Sequence, residues 1–140
     1  MAANTHLSLA SWNLALNAAL DVLNGGFLDI YDSTGTGQPA TPDVAVTTQV
    51  KLAHCPLNAT AFGAASSGTK TANAITSGTG LAVGTATWFR AYKSDGVTAV
   101  IDGSAGVAAD SADLTLNDKA ITIGGTVPIT SWTISNPSGQ

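Results

Sequence analysis

The sequence predicts a mainly β chain: an antiparallel β-sandwich of jelly-roll or Ig-like type, led by one N-terminal α-helix. Three observations carry that prediction. Apolar residues recur at helical spacing in one place only, residues 11–24. From Phe27 onward, short alternating runs are separated by turns rich in Gly, Pro and Asp. The chain has 140 residues, the length of one domain, and shows neither an internal repeat nor a linker.

Taken in order, residues 1–10 are small and polar and read as a flexible N-terminal arm. In SWNLALNAALDVLNGG, Trp12, Leu16, Ala19, Leu20 and Leu23 share one helical face, and Asn13, Asn17, Asp21 and Asn24 form a wet face. Ser11 is the expected N-cap, and Gly25-Gly26 supplies the left-handed stop. FLDIY (27–31) alternates as a strand, and the Gly- and Pro-punctuated stretch 32–43 reads as a long loop. Further strands are expected in 44–57, weakly in 71–76, and in 81–93, 97–103, 112–118, 119–125 and 126–135, where Pro128 marks an edge or a strand start. Residues 135–140 form a C-terminal tail. Seven or eight short strands at this spacing suit a sandwich.

The segment TATWFRAYKSDGVTAVIDGS (85–104) is the densest mixture of aromatic and basic residues in the chain. With Asp95-Gly96 as a two-residue turn, Tyr92 faces Ala99, Ala91 faces Val100 and Arg90 faces Ile101. Phe89, Ala91 and Val100 then lie on one face; Trp88, Arg90, Tyr92, Ala99 and Ile101 lie on the other. Both faces are largely apolar, so both need cover. The N-terminal helix, another part of the chain or a neighbouring subunit could supply it, and the Leu-rich helix fits best. The rival reading makes Trp88, Arg90 and Tyr92 an exposed aromatic surface that stacks on a sugar or other ligand.

The composition narrows function further. Only 10% of residues are charged, against an average of about 25%. All nine acidic residues are Asp, and the five cations are scattered. Such a chain cannot track a phosphate backbone, so no nucleic-acid partner is expected. A hydrophobic fraction of 44% argues for a folded chain. Lys and Glu are depleted where proteins meet, so their scarcity fits a surface that faces partners. No run approaches the roughly 20 apolar residues that span a bilayer, and MAANTHLSLASW lacks the pattern of a signal peptide. Cys55 is alone, which excludes an internal disulfide and suits synthesis in a reducing cytosol.

No motif points to catalysis. His54 and Cys55 are adjacent, so in a strand they face opposite ways, His54 outward and Cys55 into the core. Asp95, Asp102, Asp110 and Asp113 sit in or near turns without the spacing of a calcium loop. The only histidines are His6 and His54, and no G-x-S-x-G occurs. No metal, cofactor or catalytic residue is expected.

The segments LNGGFLDIYDSTGTGQPATPD, FGAASSGTKTANAIT and GTATWFRAYKSDGVTAVIDGS together resemble small virion proteins of tailed bacteriophages, in which a short helix leads into a Gly/Ala/Thr-rich β-sandwich. The likeness covers residues 10 to about 135 and has no catalytic signature within it. It implies a non-enzymatic capsid cement or decoration protein on the capsid exterior, made in the bacterial host cytoplasm. Its partners would be the major capsid protein and itself, as a trimer or dimer. The contact regions would be the arm (Asn4, Thr5, His6, Leu7), the long loop (Gln38, Pro39, Pro42) and the tail (Asn136, Pro137). The alternatives are a neck or tail component, or a carbohydrate-binding adhesive module.

Overall fold

The computed structural model describes residues 5–135. Helix α1 runs Leu9–Leu20 and tightens into a 3-10 turn at Asp21–Leu23. It begins two residues earlier than the sequence pattern suggests. Ser8, not Ser11, is the N-cap: its extended backbone leaves Oγ free to accept the Ser11 N–H at 3.1 Å. Leu16, Leu20 and Leu23 are buried, whereas Trp12 is half-buried and Ala19 exposed.

Among the described residues eleven strands follow, and many are short. They are β1 (Phe27–Asp32), β2 (Val50–Pro56), β3 (Thr69–Thr71), β4 (Gly78–Thr79), β5 (Gly84–Thr85), β6 (Trp88–Tyr92), β7 (Ala99–Gly106), β8 (Leu114–Leu116), β9 (Ala120–Ile121), β10 (Thr126–Val127) and β11 (Ile129–Ser135). Seven of them form one sheet in the order β2-β1-β6-β7-β8-β11-β3; β4–β10 and β5–β9 make two small ribbons. The molecule is thus a mainly β protein with one N-terminal helix, a mixed seven-stranded sheet and no closed barrel.

The expectation of a purely antiparallel sheet fails at one pair. β7 and β8 run parallel, pairing Ala105 with Leu114 and Gly106 with Thr115. Only residues 107–113 connect them, and side chains rather than ladder bonds close this tight return. Asp110 accepts the Val107 N–H at 3.0 Å, and Asp113 accepts the Ser104 N–H at 2.9 Å. Residues 81–93, read as one strand, split into β5 and β6.

The core lies on one face of the sheet. Leu28 and Ile30 pair across from Ala91 and Phe89, and all four join Leu16, Leu20, Leu23, Leu114, Leu116 and Trp132 in one cluster. Trp132 meets Phe62 and Phe89 edge-on, at 4.8 and 5.0 Å between ring centres. A bulge between Ile30 and Tyr31 gives β2 an extra residue, Leu52, which is fully buried beside Ala53. Gly26 closes the helix onto this core. A Cβ there would stand 2.1 Å from the Tyr92 carbonyl oxygen, so no other residue fits.

The expected wet face of the helix is exposed at Asp21 and Asn24 but half-buried at Asn13 and Asn17. Asn13, Asn17 and Asn24 accept the backbone N–H groups of Gly68, Ala65 and Ala61 at 3.0, 3.0 and 2.8 Å. Asn17 and Asp21 also hold the Lys70 ammonium group. This polar stripe fastens the helix to the 61–70 segment, where it satisfies backbone donors that no strand pairs.

Candidate functional site: the face beneath the 33–49 loop

The opposite face of the same sheet gathers a cluster of ionisable side chains. Alternation along β1 sends Phe27, Asp29 and Tyr31 to this side, and β6 contributes Tyr92, Arg90 and Trp88 opposite them. β2 adds His54 opposite Asp29, and β7 adds Asp102 opposite Arg90. One row therefore reads His54, Asp29, Arg90, Asp102 across four strands. Potential cations and anions alternate along it.

The hairpin register expected from a two-residue turn is corrected here. Lys93 N–H donates to Thr98 O at 2.9 Å and Gly96 N–H to Lys93 O at 2.9 Å, so residues 94–97 form a four-residue loop with Gly96 at φ +74. Tyr92 does face Ala99, but a bulge then shifts the ladder: Ala91 faces Ile101, and Arg90 faces Asp102. Asp95 drives this geometry. Its carboxylate accepts the N–H groups of Val97 and Thr98 at 2.9 and 2.8 Å and the Thr98 hydroxyl, which lowers its pKa to about 2.

Arg90 is the centre of the face. It is 2% exposed, yet its guanidinium is well satisfied. Nε and Nη2 grip Asp102 in a two-point contact at 2.6 and 2.8 Å, Nη1 donates to Val44 O at 2.7 Å, and Nη2 donates to Thr41 O at 3.1 Å. The Asp102 contact holds the guanidinium pKa above its ordinary value. Those two carbonyls belong to residues 33–49, which cover this face; the helix lies on the other one. The expectation that the helix covers Trp88 is therefore overturned, because the helix's Leu stripe finds its apolar match on the Phe89–Ala91 side.

The covering segment is itself tied down. Asp32 accepts from Thr34 N–H and Oγ1, both at 2.8 Å, and from Thr85 N–H at 3.2 Å; these bonds, Thr34 first, hold its carboxyl below the usual range. Gln49 Nε2 donates to Gly37 O at 2.9 Å, and the hydroxyls of Thr36 and Thr48 meet at 2.6 Å.

Under this cover Trp88 is 1% exposed. It stacks on Tyr31 at 4.3 Å and 13°, with the Arg90 guanidinium carbon 5.8 Å from its ring centre. The surface-platform reading of Trp88, Arg90 and Tyr92 is corrected accordingly: Trp88 and Arg90 are buried and Tyr92 is half-buried. Trp132 is also inside, at 1%. What remains open is a cleft of about 450 Å³ lined by Pro42, Asp43, Val46, Arg90, Tyr92 and Val97.

Asp29 holds His54 Nδ1 at 2.5 Å and Lys51 Nζ at 2.7 Å, and Phe27 stacks on the imidazole at 4.8 Å. A histidine oriented by a buried carboxylate is two-thirds of a nucleophilic triad. No Ser, Thr or Cys is hydrogen-bonded to His54 among the described residues. Cys55 lies fully buried, its thiol pushed up to about 11 by burial. Nor does any group of three His, Cys, Asp or Glu among the described residues stand close enough to hold a metal ion. No helix among them is long and apolar enough to cross a membrane.

Of the expected contact residues, Thr5, His6, Leu7 and Gln38 are exposed, while Pro39 and Pro42 are half-buried. Asn4, Asn136 and Pro137 lie outside the described residues. Sequence reasoning missed Asp29 and Asp102 as partners; the odd-numbered polar position in FLDIY was the available signal. Comparison of the chain with protein-family models, with curated proteins and with solved structures finds no match.

Proposed function

We propose that this protein is a non-enzymatic structural component of a bacteriophage particle, a cement or decoration protein that binds the major capsid shell from outside and associates with its own copies. In this reading the two ribbons and the helix form the second layer of a sandwich over the large sheet. One observation carries the proposal: several large aliphatic side chains are exposed, while four charged ones are buried. Asp29, Asp32, Lys70 and Arg90 are buried, while Leu14, Val83, Val97 and Ile123 are 70, 71, 78 and 71% exposed. Charge normally faces water and large aliphatic groups do not, so such a surface suits contact with other chains. Leu81, Val83 and Ile123 come from neighbouring turns, joined where Gly80 and Gly124–Gly125 exchange backbone bonds at 2.7 and 2.9 Å.

The test has two arms. Sedimentation of the isolated chain should show a concentration-dependent oligomer that Val83→Asp and Ile123→Asp weaken. Antibody raised against the chain should label the heads of intact particles from the host that makes it. Label confined to tails supports the neck or tail alternative. A monomer that labels no particle overturns the proposal.

A further inference from the structure

We propose that Lys70 and Asn17 form an intramolecular isopeptide bond, with Asp21 as the proton carrier. Lys70, on the edge strand β3, is 1% exposed. Its Nζ stands 2.6 Å from Asn17 Oδ1 and 2.7 Å from Asp21 Oδ1. The same Asn17 oxygen accepts the Ala65 N–H at 3.0 Å. Asp21 alone could balance a lysine charge. The third partner makes the arrangement unusual: a side-chain amide whose carbonyl oxygen has a backbone donor on it and an amine beside it.

Amides resist amines for three reasons: the ammonium must lose a proton, the carbonyl must accept charge, and the nitrogen must leave protonated. Each has a matching group here. Asp21 Oδ1 takes a proton from Lys70 Nζ along their hydrogen bond. The freed lone pair attacks Asn17 Cγ, and the carbonyl electrons move onto Oδ1, where the Ala65 N–H stabilises them as an oxyanion hole would. Asp21 passes the proton to Nδ2, then relays a second from Nζ. The Cγ–Nδ2 bond breaks, and the carbonyl re-forms. One C–N bond is made and one broken, nothing is oxidised or reduced, and the balance closes. Lys70 begins with three hydrogens on Nζ; the new amide keeps one, and two leave with Nδ2 as ammonium. The side chain of Asp21 is 53% exposed, so the ammonium has a way out through the shallow cleft that Asn17, Asp21, Phe62 and Lys70 line. Fixed positions supply the remaining advantage, because helix and strand hold the reacting atoms together before reaction.

The test is intact-mass spectrometry of the full chain under denaturing conditions, at purification and after storage. The expected mass is lower by one ammonia. Trypsin cuts after Lys51, Lys70 and Arg90. The linked chain should give a branched species joining residues 1–51 to 52–90, with no cut after Lys70. Lys70→Met and Asn17→Ala should abolish both signatures, and Asp21→Asn should slow bond formation at least tenfold. The wild-type readout needs no variant, so a misfolded variant does not blur the result. An unaltered wild-type mass overturns the proposal. So does loss of ammonia with normal cleavage after Lys70, which would mark a succinimide at Asn24-Gly25 instead.

Discussion

Both faces of the seven-stranded sheet bury the side chains at their centre, and they are held in opposite ways. Ile30 and Phe89, on the core face, are 0 and 1% exposed; Trp88 and Arg90, on the other, are 1 and 2%. Leu, Ile, Phe and Trp side chains fill the first face beneath α1, and burial of apolar area stabilises it. The second face lies beneath residues 33–49, a segment of little regular structure. Its stability depends on pairing: Arg90 with Asp102 and two carbonyls, Asp29 with His54 and Lys51. Area burial is roughly additive and forgiving of shape. A buried ion network is neither, because removing one member strands the others.

The largest expected effect tests the core face. Trp132→Ala should cost about 3–5 kcal/mol by opening a cavity between Phe62 and Phe89, read as a lower urea midpoint at unchanged slope. Arg90→Ala should cost about 3 kcal/mol on the same measurement, for a different reason: it leaves Asp102, Thr41 O and Val44 O without partners. The contrast sharpens in the double variant Arg90→Met/Asp102→Leu, which should recover the part of that loss due to the stranded Asp102 carboxylate while the Thr41 and Val44 carbonyls stay unpaired. If the double variant is as unstable as the single, the face is held by packing and not by charge.

A smaller effect separates the faces by pH. Tyr31 is pushed well above its ordinary range, chiefly by burial and then by the Tyr92 hydroxyl. A raised folded pKa means stability that is complete below the unfolded value of about 10 and is lost as pH climbs beyond it. Alkaline unfolding of wild type should therefore be steep, and Tyr31→Phe should flatten it. Absorbance should show one tyrosinate titrating only with unfolding.

The smallest effect lies outside both faces, in the 94–97 turn. Asp95 has its pKa lowered to about 2, first by the Thr98 hydroxyl and then by backbone N–H groups. Its contribution is complete above the unfolded carboxylate value of about 4 and disappears as pH falls toward 2. Asp95→Ala should lower stability slightly at neutral pH, where that contribution is complete, leave it unchanged near pH 2, and so reduce the slope of the acid limb between them.

The elements with strong local patterns were legible in the sequence. The helix, the first strand, the aromatic hairpin and the burial of Cys55 follow from periodicities of 3.6 and 2 residues. Boundaries were not, because Ser8 and Ser11 are both acceptable caps and only the chain's path chooses between them. The hairpin register escaped because the Asp95 side chain competes for the backbone bonds of a two-residue turn. Asn13, Asn17, Asp21 and Asn24 were correctly placed on one stripe, of which Asp21 and Asn24 do reach water, but the bonds from this stripe to the 61–70 segment were not foreseen. A polar stripe looks the same whether its partners are water molecules or the N–H groups of a distant loop.

Chain chemistry alone determined that this is a weakly charged, mainly β protein with a single helix and no metal or nucleophile motif. Tertiary structure decided which side of the sheet the helix covers, which Asp meets Arg90, and that Lys70 ends between Asn17 and Asp21. The reason is range. Periodicity and turn chemistry act over a few residues, whereas Arg90 meets Asp102 across 12 residues and Lys70 meets Asn17 across 53.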